Sequence, residues 1–244
     1  MLEKIKLPPL GVWFWTHYAL IYDVLLRLRP YTAMLDEIVD GLGLERAELV
    51  LDAGCGSGNL TRRLLNRGYR VHAVDSSPGM LQRAAAKCPE ADPQTQNLDQ
   101  SLPCAQGTYA GITCSNVLYS LPNPRKTLVD FHRILKPGGC LIISNPGRQF
   151  SMRKVLERHW QDQKWSGRLQ FLAQVPGLLL LTAFNLILLR RQQADRFFFP
   201  GAEQLRQLFQ ETGFEKVEVR STYAGQGWLV SARKPESRFG RGLS

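Results

Sequence analysis

The chain has 244 residues, with 31 Lys+Arg against 21 Asp+Glu and a formal net charge of +10. Its 44% hydrophobic and 21% charged residues can bury a substantial core, which excludes wholesale disorder, and its length suits one α/β domain with additions or two small domains. A pI near 9.6 suggests an anionic partner, yet the charge is local: segment 148–196 carries +6, the tail 233–244 carries +3, and the remainder only +1.

Residues 11–43 read as two helices, the first rich in aromatics (Trp13, Phe14, Trp15, Tyr18, Tyr22), the second started near Pro30 and ended by Gly41 and Gly43. A regular alternation follows. Strands are expected at 48–54, 69–75, near 94–98, at 108–116 and at 138–146, with helices at 57–68, 77–88 and 125–135 between them. Strands alternating with helices of this length imply a parallel sheet covered on both faces. After Pro146 the rhythm stops for about fifty residues, then resumes with a helix at 201–212 and strands at 214–220 and 227–233, close enough to pair antiparallel at the sheet edge.

The five cysteines (Cys55, Cys88, Cys104, Cys114, Cys140) show no CxxC and no metal spacing, so a reducing compartment, no structural disulfide and no metal are expected. The N-terminus MLEKIKLPPLGVWFW lacks a signal peptide's apolar core and cleavage site. A cytoplasmic location is therefore expected, with the inner face of a membrane as the surface to which the chain would be peripheral.

The strongest local signal is Val50-Leu51-Asp52-Ala53-Gly54-Cys55-Gly56-Ser57-Gly58-Asn59-Leu60-Thr61, a buried strand running into a G-x-G-x-G turn and then a helix. Glycines are needed where a backbone turns tightly beneath a ligand, and the helix start offers free N–H groups to an anion. A dinucleotide fingerprint wants glycine at its first, third and sixth positions, and here the sixth is Asn59. Asp75 ends the second strand, 17 residues beyond Gly58, at the carboxyl edge where such sheets bind ligands. Its carboxylate can accept both hydroxyls of a ribose; alternatively it caps the helix that starts near Ser77.

LVLDAGCGSGNLT, VHAVDSSPGML, NLDQSLPC and RILKPGG, in that order and spacing, resemble the class I S-adenosylmethionine-dependent methyltransferases, most of all the small-molecule branch with a methyltransferase type 11 domain, which includes quinone and phospholipid methylating enzymes. The resemblance is close over 48–146, and FPGAEQLRQLFQETGFEKVEV extends it into the C-terminal strands, which carry Trp228 and Lys234. It implies a Rossmann-like, seven-stranded, mostly parallel sheet with an antiparallel edge hairpin, an N-terminal helical lid and a helical insert before the last helix and strands. The division expected is a single methyltransferase domain over 1–244: N-terminal helices at 1–46, a cofactor-binding core at 47–147, a basic and apolar insert at 148–200, the C-terminal helix and strand pair at 201–234, and a basic tail at 235–244.

The resemblance also implies roles. Gly54, Gly56 and Gly58 lie under the methionine part and ribose of S-adenosylmethionine, Asp52 organises their loop, Asp75 accepts the ribose hydroxyls, and Ser76 borders the adenine with Met80 beside it. Asn97, Leu98 and Asp99 meet the adenine edge; the family often has Asp where Asn97 stands, which shifts the contact towards Asp99. Ser115 and Asn116 lie near the methionine moiety, and Tyr22, in a family-like Tyr-Asp pair, closes over its carboxylate. Tyr109-Ala110 replaces the family's Phe-Asp and reads as structural.

Methyl transfer is a displacement at an activated carbon, so alignment and exclusion of water dominate, and a base is needed only for a protonated nucleophile. His17, Tyr18, Tyr119 and His132 are the candidates. Tyr119 and His17 are the two carried forward as catalytic, while His132 reads as structural and His72 and His159 receive no role.

Leu169–Leu189 is a run of 21 residues without a charge, bracketed by Arg168 and Arg190-Arg191. Its length would span a bilayer. However, a single crossing would separate strands of one sheet, and Pro176-Gly177 leaves a continuous apolar helix only over 178–189. Three readings stay open: a lid making a greasy pocket, an interfacial element dipping into a membrane, and a dimer contact. Trp160, Trp165, Phe171 and Phe197–Phe199 among Arg and Lys suit the interfacial reading, which the lid reading does not exclude. The expected partners are a small hydrophobic substrate and a membrane surface. Nucleic acid is disfavoured because the basic cluster flanks an apolar run and no RNA-binding module is visible. The rival to an enzyme is a membrane-associated binding protein that keeps the fold without catalysis.

Overall fold

The computed structural model describes residues 18, 19, 22–163, 179, 180, 183 and 198–236. The strands are β1 (Leu49–Ala53), β2 (Arg70–Asp75), β3 (Gln94–Thr95), β4 (Tyr109–Ser115), β5 (Leu135–Pro146), β6 (Glu215–Thr222) and β7 (Gly227–Arg233). They form one sheet in the order β3-β2-β1-β4-β5-β7-β6. β1 to β5 pair in parallel, and β7 is antiparallel to both of its neighbours, β5 and β6. The order turns back between β1 and β4, which opens a crevice at their carboxyl ends.

The helices are α1 (Arg29–Leu42), α2 (Asn59–Arg67), α3 (Pro78–Lys87), α4 (Pro124–Ile134), α5 (Met152–Gln161) and α6 (Ala202–Glu211). α1, α2 and α3 bury Leu35, Ile38, Leu60, Leu64 and Ala84 on one face of the sheet. α4 and α6 bury Leu128, Phe131, Leu205 and Phe209 on the other. β5 lies between them, giving Cys140 and Ile142 to the first face and Leu141 and Ile143 to the second. A strand covered on both faces needs such an unbroken apolar run.

Two sequence expectations change. Gly41 does not end the second N-terminal helix: it lies inside α1, where a Cβ would stand 2.8 Å from the Ile142 side chain, so its missing side chain lets the helix approach β5. Gly43, in the left-handed region at φ 57°, closes the helix. β5 begins at Leu135 rather than at 138, because the β4–β5 pairing shifts register between Tyr109 and Gly111 and the irregularity accommodates Lys136-Pro137. Within the segment expected as a helical insert lies α5, which packs against α1 through Val155 and His159; the His159 Nδ1 accepts the Arg29 N–H at 3.1 Å and so serves the start of α1.

Of the apolar stretch 178–189, only Leu179, Leu180 and Ala183 fall among the described residues. No helix among the described residues is long and apolar enough to cross a membrane.

Candidate active site

β1 delivers Asp52 to the base of the glycine loop and fixes it there. Its carboxylate is fully buried and accepts the Thr61 hydroxyl of α2 at 2.6 Å and the Thr113 hydroxyl of β4 at 3.1 Å. Burial outweighs these bonds and lifts its pKa to about 6. Above it, Gly54, Gly56 and Gly58 all have positive φ. A Cβ on Gly54 would stand 2.4 Å from Val117, and one on Gly58 would stand 3.1 Å from the Ala84 backbone. Gly56 differs. Nothing crowds its missing Cβ closer than Tyr22 at 3.8 Å and Met80 at 3.9 Å, so this is a bare stretch of backbone facing a cleft.

β2 delivers Asp75 to the same place. Its carboxylate accepts the Gly56 N–H at 2.9 Å and the Ser77 N–H at 2.8 Å, tying the loop to the start of α3. Burial raises its pKa despite these bonds. The helix cap itself is Ser77, whose hydroxyl accepts the Met80 N–H. Ser76 is exposed at the rim, and Met80 is buried beneath it. The strip Asn97–Asp99 follows β3, whose continuation is held by the Gln96 N–H on the Asp75 carbonyl. Asn97 is exposed and accepts the Asp99 N–H at 2.9 Å, while the buried Leu98 accepts the Thr127 hydroxyl through its carbonyl. One Asp99 carboxylate oxygen is buried without a hydrogen bond among the described residues, and burial raises that carboxyl's pKa.

At the end of β4, Ser115 and Asn116 converge on Ser144 of β5: the two serine hydroxyls are 3.0 Å apart, and the Asn116 N–H reaches the Ser144 Oγ at 3.1 Å. Asn116 has a left-handed φ of 54°, which directs the chain away from the sheet here.

Asp52, Gly54, Gly56, Ser115 and Tyr22 line one cavity, joined there by Tyr31, Cys55 and Asn59. Tyr31 was invisible as a site residue because its position on α1 also satisfies the core periodicity. Its hydroxyl donates to the Tyr22 hydroxyl at 3.3 Å. Tyr18, Tyr22, Tyr31, Tyr223 and Phe150 form a chain of ring contacts with centroids 5.5 to 6.3 Å apart. Burial raises the pKa of Tyr22, Tyr31 and Tyr223, so these phenols stay protonated at neutral pH. Asp23, the second member of the Tyr-Asp pair, accepts the Ser57 hydroxyl at 2.6 Å and the Lys87 ammonium at 3.1 Å, which locks the N-terminal segment onto the glycine loop. Burial pushes its carboxyl up, but Ser57 and Lys87 outweigh that and leave it below the usual range.

Of the two catalytic candidates, Tyr119 is not among the residues lining this cavity. Tyr119 stacks on Phe199 with ring centroids 5.5 Å apart, its carbonyl accepts the Phe198 N–H at 2.8 Å, and burial pushes its phenol up to about 12. His17 lies outside the described residues. His132 packs edge-on to Phe214 at 5.1 Å. Tyr109 bonds His72 at 3.1 Å, a structural contact. Among the described residues, no group of three or more His, Cys, Asp or Glu could hold a metal ion.

An open parallel sheet with a bare glycine loop, a buried carboxylate beside it and a crevice at the strand ends defines a nucleoside-binding α/β protein. The chain belongs to the methyltransferase domain family, which it matches over residues 25–219, and whose sequence features are those of S-adenosylmethionine-dependent enzymes. It is 30% identical over 194 residues to the demethylmenaquinone methyltransferase of Clavibacter sepedonicus, covering 78% of this chain and 75% of that one. It is 31% identical over 118 residues to the ubiquinone biosynthesis O-methyltransferase of Xanthomonas oryzae pv. oryzae, covering 47% and 49%. Several relatives are matched over less than half of their length, as in the demethylmenaquinone methyltransferase of Tropheryma whipplei, covered over 46%. In fold it is similar to a S-adenosylmethionine-dependent methyltransferase from Thermotoga maritima (TM-score 0.62, 16% identity, 92% of this chain and 100% of that one).

Proposed function

We propose that the chain transfers a methyl group from S-adenosylmethionine to a small lipophilic acceptor. The observation that carries this reading is the Asp75 carboxylate seated beside the open backbone at Gly56, a cradle that suits a ribose lying on glycine. The fit is good on two further counts: Gly56 leaves the space a Cβ would fill, and Asp99 keeps a buried acceptor oxygen without a partner where an adenine amine would arrive.

When bound, the cofactor supplies a methyl group already activated by a sulfonium. The protein's residues position and exclude. Asp75 accepts the ribose hydroxyls, and Met80, Leu98 and the rim residue Ser76 border the base with Asn97 and Asp99 at its edge. Ser115 and Asn116, braced by Ser144, flank the methionine part, and Tyr22 covers it. Asp52 holds the loop from below through Thr61 and Thr113. The Tyr22–Tyr31–Tyr223 wall presents ring faces and protonated phenols, which suit an apolar acceptor and offer no base. Relatives named for demethylmenaquinone and ubiquinone biosynthesis support an acceptor of quinol-like size and polarity.

An acceptor of that kind resides in a membrane. The 148–200 segment presents Arg153, Lys154 and a Trp160 that is 39% exposed on α5, with Leu179 and Leu180 exposed further on. These support a peripheral contact with an anionic bilayer from the cytoplasmic side. Sedimentation with anionic liposomes at low salt tests it; a full-length chain that stays in the supernatant removes the contact and leaves the enzyme reading standing.

The enzyme reading is tested by calorimetry with S-adenosylhomocysteine. Wild-type chain should bind it, and Asp75→Ala should weaken binding at least about a hundredfold, as expected for loss of charged hydrogen bonds to two hydroxyls. Absence of wild-type binding, or an unchanged affinity in Asp75→Ala, sinks the reading. Methyl transfer to any acceptor excludes the non-catalytic binding protein.

A further inference from the structure

His159 received no role from the sequence, yet it is 1% exposed, on α5 and one turn beyond the buried Val155. Its Nδ1 accepts the backbone N–H of Arg29, the first residue of α1, at 3.1 Å. That bond decides the state of the ring. An acceptor nitrogen carries no proton, so the imidazole is neutral with its hydrogen on Nε2, which lies 3.4 Å from the Gln163 amide. α1 has no side-chain cap from its own preceding residue, and the imidazole takes that place from another helix.

α5 is tied at its other end as well. The Ser151 N–H donates to the Gln226 Oε1 at 2.9 Å, the Gly147 N–H donates to the Gln226 carbonyl at 2.8 Å, and the Phe150 ring packs on Tyr223 with centroids 5.5 Å apart. Tyr223 and Gln226 belong to the turn between β6 and β7, and the Tyr223 ring lies 6.0 Å from that of Tyr31 on α1. One end of α5 therefore holds the turn that carries Tyr223, and the other holds the first residue of the helix that carries Tyr31.

The two ends differ in chemistry. The contacts at the turn are amides and rings that do not titrate near neutral pH. The contact at α1 passes through an imidazole. A protonated ring would set one N–H against another at Arg29 and bury a charge beside the Arg29 guanidinium, whose Nη1 donates to the Asp162 carbonyl at 3.0 Å. Among the described residues, Arg29 opposes the imidazolium, while the Asp162 carboxylate, itself engaged by Arg158 at 3.1 Å, favours it. Burial is the largest influence, and with Arg29 it holds the imidazole below its ordinary 6.5.

We propose that α5 is a strap across the tyrosine wall whose α1 end is fastened only while His159 is neutral, so that acidification frees that end and loosens the contact between Tyr31 and Tyr223. The fastened form binds fewer protons than the freed one. Fastening is thus complete above pH 6.5 and is lost progressively below it. What the strap closes rests on the methyltransferase reading above, in which this wall faces the acceptor. The strap itself does not rest on it, and its test uses no cofactor.

The test is hydrogen exchange read by mass spectrometry on the full chain, at about pH 7.5 and about pH 5.5, corrected for intrinsic rates. At the lower pH, peptides covering 152–162 should lose protection about five- to a hundredfold, the range for a buried donor left without its acceptor, while β1 and β4 do not lose theirs. His159→Asn keeps an acceptor oxygen near the place of Nδ1 and cannot titrate, so its α5 should be equally protected at both pH values. Unchanged protection of α5 in the wild type, the same loss in His159→Asn, or a loss shared by β1 and β4 overturns the strap. If His159→Asn leaves α5 unprotected at both pH values, the full pH series of the wild type decides. A loss confined to α5 and the start of α1 that sets in between about pH 6.5 and 5 supports the strap; one that sets in only below about pH 5, where carboxylates titrate, overturns it.

Discussion

The two faces of the sheet are built from different side chains. The face under α4 and α6 is aliphatic and phenylalanine-rich, with Tyr109 its one buried tyrosine among the described residues, and that tyrosine bonds His72. The face under α1, α2 and α3 buries Tyr18, Tyr31, Tyr69 and Tyr223. Three of these belong to the ring chain beside the glycine loop. The first face asks only for volume. The second must pack equally well and also present polar atoms to a cleft, and tyrosine does both because its body is apolar and its tip is not. The tyrosine rings beside the glycine loop are thereby kept to one face, separated by the thickness of the sheet from the aliphatic face.

Substitutions should respect that separation. The largest effect is expected from Phe131→Ala on the purely structural face: a loss of about 3–5 kcal/mol in denaturant unfolding, from the transfer and cavity costs of a fully buried ring. The S-adenosylhomocysteine affinity of the folded fraction should not change, and a changed affinity would show the two faces to be coupled. Next is Asp52. Its carboxyl titrates near 6 in the fold, above its unfolded value, so the folded chain holds the proton more tightly. Its contribution is therefore greatest below the ordinary carboxylate pKa and is lost as the pH rises through about 6, a decline on the order of 3 kcal/mol. Unfolding measured from pH 4 to 7 should show this slope, and Asp52→Asn should flatten it.

Asp75 sharpens the comparison from the binding side. Its pKa is raised, and under the proposed function its ionised form is the one that accepts two hydroxyls. Affinity for S-adenosylhomocysteine should thus begin to fall, as the pH is lowered, at a higher pH than an ordinary carboxylate would give. A calorimetric pH series checks the onset. The smallest effect is that of Tyr31→Phe, which removes a hydroxyl bonded to Tyr22 and facing Asn59; it should cost about 1 kcal/mol of stability. A loss several times larger would mean that the tyrosine wall is structural in the same sense as the opposite face.

Much of this arrangement was legible before any coordinates. Mostly apolar runs such as 48–54 and 138–146 read as covered strands, and Gly68 and Gly43 stop the helices before them. The place of Asp75 beside the glycine loop was legible from its spacing beyond Gly58, and its carboxylate accepts the Gly56 and Ser77 N–H groups there. α5 was not, since Arg153, Lys154, Glu157 and Arg158 leave it only a thin apolar stripe, and its tertiary anchor is a histidine serving another helix's first turn. Nor was the Lys136-Pro137-Gly138-Gly139 stretch legible as strand, because such a sequence signals a turn unless a neighbouring irregularity absorbs it. Tyr31 and Asn59 were hidden for a different reason. Periodicity reports which way a side chain points, and both the core and the cleft lie inward.

The reversed strand β7 sets the order in which the molecule can be completed. β5 ends at Pro146, but the neighbour that covers its free edge is not synthesised until Gly227–Arg233, and β6, made before it, has no place in the sheet without it. During synthesis, a nearly finished parallel sheet therefore waits with one edge of β5 unpaired while the basic and apolar 148–200 segment emerges. Such an edge invites pairing with another chain. A chain truncated ahead of Gly227 should accordingly aggregate rather than yield a smaller folded protein, even though every residue assigned to the nucleoside is already present. The last strand is a closing seam: it adds no group to the site, yet the sheet that bears the site is not sealed until it arrives.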